Sequence, residues 1–343
     1  MKSKFTLLAL LEKDAQYVNE RVDLNSLDGL EITITGASGL VGLNIISALN
    51  YYNNNLAKKR ININALSFTK PNGIINDIYV ENSIKSIYGD LDDCNFIKNV
   101  PLSDCIIHSA GYGQPGKFLN NKIKTIAINT SATIGLSKRL KECGRFLFLS
   151  SSEVYSGCLN DKNTEDDIGT TAPTHPRSCY IEGKRSGEAI INILRESGIN
   201  ASSARLALAY GPGVKSNDER VLNQFIQKGI DGKITLLDSG ESMRTYGYIS
   251  NVVIMLLNIL IKNNNAVYNV GGNSMISIRE LANKIGEIMK VDVDVPASDS
   301  FLKDAPKSVG LDLSRIESEY NITDYVGLDQ GLKNTIEWIK NYE

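Results

Sequence analysis

The sequence is poor in the residues that form disulfides and metal sites. It has two histidines, His108 and His175, and five cysteines, an odd number without a C-x-x-C pair. These counts disfavour a disulfide framework, a zinc knuckle and a histidine-rich metal centre. We therefore expect reduced thiols, no bound metal and a cytoplasmic protein.

The chain also lacks an excess of either charge and any long apolar run. Lys and Arg total 37 and Asp and Glu total 39, so the formal net charge is −2. Such a surface does not attract polyanions, which argues against nucleic acid and the membrane surface as partners. No stretch approaches the roughly 18 uninterrupted apolar residues of a membrane span.

The apolar stretch at residues 5–11 does not have the features of a signal peptide. Charged residues at 12–14 interrupt it, and no small-residue cleavage site follows. The spacing of Leu7, Leu11 and Val18 instead predicts an amphipathic helix. We interpret residues 1–29 as an N-terminal helical extension that packs on the body of the protein or on a partner subunit.

A glycine-rich loop lies between a predicted strand, residues 30–35, and a predicted helix, residues 43–52. In this context glycines let the backbone approach a pyrophosphate, which the N-terminus of the helix also attracts. The flanking elements favour dinucleotide binding over a purely structural glycine turn. Cofactor contacts are predicted from Gly36, Ser38, Gly39, Leu40, Val41 and Gly42.

Strands and helices alternate through the first half of the chain. Strands are predicted at 61–68, 87–91, 105–111 and 146–149, and one long helix at 122–140. This alternation predicts an α/β fold with a Rossmann-type doubly wound parallel sheet. Because ligands bind at the carboxyl ends of such strands, further cofactor contacts are predicted from Asp90, Leu91, Ser109, Ala110 and Gly111. Asn129, on the predicted helix 122–140, is also expected to contact the cofactor.

The second predicted strand lacks the acidic residue that binds the ribose hydroxyls of NAD. Ala65, Ser67 and Thr69 stand near its end, and Lys70 follows. Lys70 could pair with the 2′-phosphate of NADP. We expect NAD as the cofactor and leave NADP open.

The second half predicts a smaller lobe interwoven with the sheet domain. Strands are expected at 201–209 and 266–270, and helices at 221–229, 252–261, 276–289 and 331–339. We assign residues 30–205 to the NAD(P)-binding domain, with 245–272 returning to it. Residues 206–244 and 273–343 are assigned to a C-terminal substrate-binding lobe.

Tyr180 and Lys184 are the strongest candidates for catalytic residues. Four residues apart on a predicted helix, they lie on one face. A neighbouring ammonium favours the phenolate and would lower the pKa of the phenol, which could then act as a general base. By itself the pair fits a solvated helix face equally well, but the glycine loop upstream favours catalysis.

Together these motifs resemble the extended short-chain dehydrogenase/reductases that modify nucleotide sugars. The resemblance covers residues 30–343 and includes the glycine loop, Ser151 to Tyr155, Tyr180 to Lys184, and Tyr210-Gly211-Pro212 in the order of the family. It implies a nucleotide-sugar substrate and a homodimer. Local similarity is greatest to UDP-glucuronate decarboxylases, at residues 175–180, 182–185, 217–221 and 243–244.

The resemblance also implies the roles of individual residues. Tyr180 would take the proton of the sugar hydroxyl, Lys184 would bind the nicotinamide ribose, and Ser151 would hydrogen-bond the same substrate oxygen. Ser152 and Glu153 would serve a second step, although a turn cap and an exposed carboxylate are the alternatives. Substrate contacts are implied for Tyr112, Arg220 and Arg244.

The expected reaction is oxidation at C4 of a nucleotide sugar followed by decarboxylation of UDP-glucuronate. A 4,6-dehydratase or a 4-epimerase is the alternative within the same class. A non-catalytic dinucleotide-binding sensor or scaffold is the alternative of another class. Retention of Ser151, Tyr180 and Lys184 argues against the non-catalytic interpretation.

Overall fold

A seven-stranded parallel sheet forms the centre of the computed structural model, which describes residues 2–296 and 308–342. Along the sheet the strand order is β3-β2-β1-β4-β5-β6-β10. The chain builds outward from β1 to β3 and then crosses to β4 on the other side, which confirms the predicted doubly wound sheet. The strands are β1 (Glu31–Thr35), β2 (Asn62–Ser67), β3 (Lys85–Tyr88), β4 (Ser103–His108), β5 (Leu140–Ser151), β6 (Asn200–Leu206) and β10 (Val267–Val270).

A smaller sheet lies beyond the main one. Its central strand, β9 (Met243–Tyr248), pairs in parallel with β7 (Leu208–Tyr210) and β13 (Ser308–Val309) and antiparallel with β11 (Ser274–Ser277). A further two-stranded sheet pairs β8 (Lys233–Thr235) with β12 (Asp292–Asp294).

Helices cover both faces of the main sheet and pack around the smaller ones. Their bounds are α1 (Lys2–Asn19), α2 (Leu40–Asn55), α3 (Gly73–Glu81), α4 (Cys94–Lys98), α5 (Pro115–Asn120), α6 (Lys122–Asn129), α7 (Ser131–Ser137), α8 (Ser178–Glu196), α9 (Val221–Ile230), α10 (Ile249–Lys262), α11 (Ile278–Met289), α12 (Ser314–Tyr320) and α13 (Leu328–Asn341). No described helix combines the length and apolar character needed to cross a membrane.

The helix predicted at 122–140 was wrong in its extent. The chain forms α6 and α7 instead, separated at Thr130, whose φ of −114° and ψ of −79° depart from helical values. The Thr130 hydroxyl donates to the Ile126 carbonyl, 2.9 Å away. Residue 140 already belongs to β5.

The strand predicted at 201–209 is also divided. The Ala207 amide still donates to the Val270 carbonyl of the main sheet, at 2.8 Å. From Leu208 onward the chain pairs with Tyr246 of β9. The apolar run is therefore shared between two sheets, a change of partner that depends on tertiary contacts.

The N-terminal helix α1 packs on the body of the same chain, against α2, α10 and α13. Leu7, Leu11 and Val18 are buried there, as the predicted amphipathic pattern requires. Asp14 is buried on the same face, where it accepts hydrogen bonds from the Tyr248 hydroxyl.

Candidate functional site

The glycine loop connects β1 to α2 at the carboxyl edge of the sheet. Gly36 has a φ of +65°, and a Cβ there would lie 2.8 Å from both the Ala110 nitrogen and the Ser109 oxygen. A Cβ on Gly42 would lie 2.5 Å from the Gly36 oxygen. The loop is therefore folded so tightly that two of its glycines leave no room for a side chain.

The loop is tied to the end of β4, across the point where the strand order reverses. The Ser109 hydroxyl donates to the Thr35 carbonyl at 2.5 Å, and the Ala110 amide donates to the Thr35 hydroxyl at 3.1 Å. His108 is fully buried beside Thr35, and burial lowers its pKa to about 4, so it is neutral near pH 7. The predicted cofactor segments 36–42 and 109–111 thus lie side by side.

Asp90 lies at the carboxyl end of β3, where an adenosine ribose or base would bind. Its carboxylate pairs with the Lys124 ammonium. Burial raises the pKa of Asp90, but the hydrogen bonds from Lys124 and from the Asp92 amide outweigh this effect and lower it. Leu91, the next predicted contact, is half-buried.

The residues around the loop fit NAD. Ser38, Gly39, Leu40 and Val41 are partly exposed at the N-terminus of α2, as a pyrophosphate site requires. The Asn129 side chain is buried, and its Nδ2 donates to the Thr125 carbonyl at 2.7 Å. Its Oδ1 has no hydrogen-bond partner among the described residues, so it offers a buried acceptor to a ligand.

The predicted catalytic residues come together where β5 meets α8. Ser151 ends β5, and Tyr180 and Lys184 lie on the first turns of α8, both buried. The Lys184 Nζ donates to the Leu149 carbonyl at 2.6 Å and lies 5.8 Å from the centre of the Tyr180 ring. A Cβ on Gly111 would lie 3.8 Å from the same Nζ, which places Lys184 beneath the cofactor segment.

Burial, rather than the Tyr–Lys spacing, dominates the ionisation of this pair. It raises the pKa of Tyr180, while a hydrogen bond with Ser151 and the charges of Arg177 and Arg220 lower it. Burial also lowers the pKa of Lys184 to about 7. The predicted lowering of the phenol pKa by Lys184 was therefore wrong for this state of the site, because desolvation disfavours both charged forms.

Ser152 and Glu153 open a short 3₁₀ turn, Ser152–Tyr155, directly after β5. Ser151 caps this turn, and its hydroxyl accepts from the Glu153 amide at 3.2 Å. The Glu153 carboxylate pairs with Arg177, whose Nη2 lies 2.5 Å from Oε1. Glu153 is thus a partly buried, paired carboxylate rather than an exposed one.

An aromatic side chain that the sequence did not indicate stacks on the phenol ring of Tyr180. Phe118 of α5 stacks on Tyr180 with ring centres 4.8 Å apart and an interplanar angle of 14°. Tyr112, a predicted substrate contact, packs against the cluster of Phe118, Cys179 and Tyr180. The guanidinium of Arg177 lies 5.6 Å from the Phe118 ring centre, so Glu153, Arg177, Phe118 and Tyr180 form one wall.

Arg220 and Arg244 reach the same region from the smaller lobe. Arg220 pairs with Asp218, with its Nε 3.0 Å from both carboxylate oxygens. Arg244 donates to the Met243 carbonyl at 2.7 Å. In the described part of the chain, no carboxylate lies within ion-pair distance of Arg244. Within residues 2–296 and 308–342, no cluster of His, Cys, Asp or Glu is placed to hold a metal ion.

A doubly wound sheet with a glycine loop at its switch point and a buried Tyr–Lys pair beside it defines a dinucleotide-dependent α/β enzyme. Residues 32–271 match the model of the NAD dependent epimerase/dehydratase family. The chain belongs to this family. The predicted family and the choice of NAD as the cofactor are both confirmed.

Two relatives and one solved structure illustrate the similarity. UDP-glucuronic acid decarboxylase 6 of Arabidopsis thaliana is 28% identical over 88% of this chain and 87% of that protein. UDP-glucuronic acid decarboxylase 1 of Xenopus tropicalis is 30% identical over 69% of this chain, a region spanning 57% of that protein. The fold resembles that of a dTDP-glucose 4,6-dehydratase from Streptomyces venezuelae with NAD bound, with a TM-score of 0.76, 20% identity, and coverage of 90% of this chain and 97% of that one.

Proposed function

We propose that the protein modifies a nucleotide sugar by oxidation at C4, and that its reaction is the decarboxylation of UDP-glucuronate. NAD, when bound, supplies a hydride acceptor that is regenerated at the end of the cycle. The similarity to UDP-glucuronic acid decarboxylases at 28–30% identity supports this choice of substrate.

The balance of charge in the wall of the site carries the proposal. Arg177 pairs with Glu153, and Arg220 pairs with Asp218. Arg244 has no such partner among the described residues, although Glu153 is near enough to raise its pKa against the lowering effect of burial. A partly buried cation without a counter-ion favours an anionic ligand, and a guanidinium can bind a carboxylate through two hydrogen bonds. The carboxylate of a hexuronic acid satisfies this requirement, as does the diphosphate that every nucleotide sugar carries.

The chain's own residues can support each step of this reaction. The phenolate form of Tyr180, a minor form that a protonated Lys184 stabilises, accepts the proton of the C4 hydroxyl while Ser151 hydrogen-bonds the same oxygen, and the hydride leaves C4. The resulting β-keto acid loses carbon dioxide, because the electrons of the C5–C6 bond move toward the C4 ketone. Ser151 and Tyr180 donate to the oxygen that gains this charge. A proton from water then adds at C5, and the hydride returns to C4 while Tyr180 returns its proton to the C4 oxygen, which leaves a pentose.

Dehydration is the second candidate, favoured by the position of Glu153 at the end of β5. With a neutral hexose, this carboxylate could remove the C5 proton after oxidation, and the C6 hydroxyl would leave. The ion pair with Arg177 holds the Glu153 carboxylate in place at this end of the site. Both reactions begin with the same oxidation at C4.

The experiment is incubation of the purified protein and NAD with UDP-glucuronate, UDP-glucose or dTDP-glucose, followed by mass analysis of the products. The proposal expects UDP-glucuronate to become lighter by one carbon dioxide. A hexose product lighter by one water would establish the dehydratase instead. Unchanged masses with no interconversion of the sugars would overturn both.

A further inference from the structure

Three consecutive residues of β5 bind three residues of α8 that lie one turn apart. The Leu149 carbonyl accepts from Lys184, Ser150 donates to Glu188, and Ser151 lies close enough to Tyr180 to lower the pKa of the phenol. Tyr180, Lys184 and Glu188 are spaced at four-residue intervals and therefore share one helix face. Two of these contacts belong to catalytic groups, whereas the proposed reaction assigns no role to Glu188.

The Glu188 side chain is only 13% exposed, and both of its carboxylate oxygens accept hydrogen bonds. The Ser150 hydroxyl lies 2.5 Å from Oε1. Arg205 of β6 binds with its Nε 3.0 Å from Oε1 and its Nη2 2.9 Å from Oε2. This two-point pairing fixes the carboxylate in both position and orientation.

Arg205 also binds Tyr155 of the 3₁₀ turn and the backbone that packs against this turn. Its Nη1 donates to the Tyr155 hydroxyl at 2.9 Å and to the carbonyls of Glu165 and Asp167 at 2.9 and 3.1 Å. The Tyr155 hydroxyl in turn donates to Asn269 Oδ1 at 2.6 Å. The Glu188–Arg205 pair thus joins β5, β6, α8 and the 3₁₀ turn beneath the site.

We propose that Glu188 is a positioning residue for the catalytic group: it sets the register of α8 on β5 and places a negative charge that favours the ammonium form of Lys184 beneath the cofactor. This role concerns NAD binding, so it does not depend on which sugar the enzyme uses.

The electrostatic part of this role follows from what surrounds Lys184. Burial lowers the pKa of Lys184 to about 7, and the charge of Glu188 raises it. His108 on β4 is neutral near pH 7, because burial lowers its own pKa to about 4. The groups around Lys184 are Tyr180 and Glu188 on α8, His108 on β4, and the Leu149 carbonyl and Phe148 ring on β5. Arg205 on β6 acts on Lys184 only through its ion pair with Glu188.

The test is the dissociation constant for NAD, measured by calorimetry between about pH 6 and pH 9, in wild type and Glu188→Gln. Glutamine keeps the shape and can still accept from Ser150, but it removes the charge. Because the pKa of Lys184 then falls, Lys184 loses its proton at lower pH. We expect NAD binding to weaken about tenfold near pH 8 and its pH midpoint to move downward by about one unit.

Glu182→Gln is the matched control, since it removes a carboxylate that pairs with Arg185 on the same helix. It should leave NAD binding and its pH midpoint at the wild-type values. A role confined to stability would lower the melting temperature of Glu188→Gln without moving the pH midpoint, and this result would overturn the proposal.

Removal of one partner of a buried ion pair can prevent folding. In that case the double variant Glu188→Gln with Arg205→Met removes both charges together. We expect this variant to fold and to bind NAD more weakly than wild type. Wild-type NAD affinity with an unshifted pH midpoint in the folded double variant would refute the role of Glu188. Absence of sugar turnover in the wild type would refute the proposed function alone.

Discussion

At the level of single residues, close backbone approach defines the cofactor site more sharply than any side-chain charge. A Cβ on Gly36 would lie 2.8 Å from the Ala110 nitrogen, and the positive φ of Gly36 disfavours any other residue. We expect Gly36→Ala to weaken NAD binding at least about tenfold, with a cost of roughly 1–3 kcal/mol from the strained conformation. Fluorescence titration with NADH measures this loss.

Gly113→Ala is the control for this substitution. Among the described residues, no heavy atom lies within 4 Å of a Cβ at Gly113, so the new methyl group meets open space there. NADH affinity should remain that of wild type in this variant. Equal affinities in Gly36→Ala and Gly113→Ala would contradict the assignment of the loop.

Some residues of the site could be read from the sequence, and others could not. Tyr180, Lys184 and Ser151 stand in motifs whose spacing specifies one helix face and one strand end. Glu188, four residues after Lys184, continues that stripe and could have been found in the same way. Phe118 reaches Tyr180 only through the packing of α5 on α8, which no local pattern encodes.

At the level of elements, Gly187 rather than Gly183 lets α8 approach β5 and α6 closely. A Cβ on Gly187 would lie 2.3 Å from the Phe148 ring and 3.0 Å from the Asn129 carbonyl oxygen. On Gly183 the nearest atom, Asn129 Nδ2, is 3.4 Å away, an ordinary contact. The close contacts at Gly187 are thus made with β5 and with a neighbouring helix of the same chain.

The two positions predict opposite results in urea denaturation. Gly187→Ala should lower the free energy of unfolding by about 1–3 kcal/mol, because the methyl group overpacks the helix interface. Gly183→Ala should be neutral or stabilising by up to about 1 kcal/mol, the gain in helix propensity. Equal effects of the two substitutions would contradict this account of the α6–α8 contact.

Asp14, buried where α1 packs on the body of the protein, predicts a pH dependence of the free energy of unfolding. Burial raises the pKa of Asp14 to about 7 from 3.8, against the lowering effect of the Tyr248 hydrogen bond. Between these values the folded protein holds a proton that the unfolded chain releases, so the free energy of unfolding falls as pH rises through the window. Above about pH 7 the folded state carries the full cost of the buried charge.

Asp14→Asn removes that cost. We expect the stability of the variant relative to wild type to increase from pH 4 to pH 7 by on the order of a few kcal/mol, and then to stay level. Urea denaturation at several pH values gives the difference. A difference that does not change between pH 5 and pH 8 would show that Asp14 does not titrate in this way.

At the level of the whole molecule, the alternation of strands and helices predicted the sheet domain because it repeats one local pattern. The errors fall where tertiary pairing overrides that pattern. Thr130 ends a helix without a Pro or Gly to signal it, and the apolar run through 201–209 changes its pairing partner from β10 to β9. The division into a sheet domain and a substrate-binding lobe stays a prediction.

An exposed apolar face bears on the assembly of the whole molecule. Ile123 and Ile126 on α6 and Ile193 on α8 are 81%, 40% and 59% exposed, and these two helices pack together. We propose that this face binds a second copy of the chain, since burying such side chains stabilises association. Light scattering after size exclusion should then give twice the chain mass of 37.6 kDa.

Ile123→Asp should shift this equilibrium to the monomer, because a charge at the centre of an apolar interface is costly to desolvate. Ile168→Asp, at an exposed isoleucine of a loop, is the control and should remain a dimer. A monomeric wild type would refute the proposed interface.

The fate of the substrate carboxylate tests the proposed reaction most directly. UDP-glucuronate labelled with heavy carbon in its carboxyl group is incubated with NAD and either wild-type protein or Tyr180→Phe, a variant that should still bind NAD. We predict that the wild type releases the label as carbon dioxide and leaves a UDP-pentose, while Tyr180→Phe releases none. Retention of the label by the wild type, or full release by Tyr180→Phe, would contradict the mechanism.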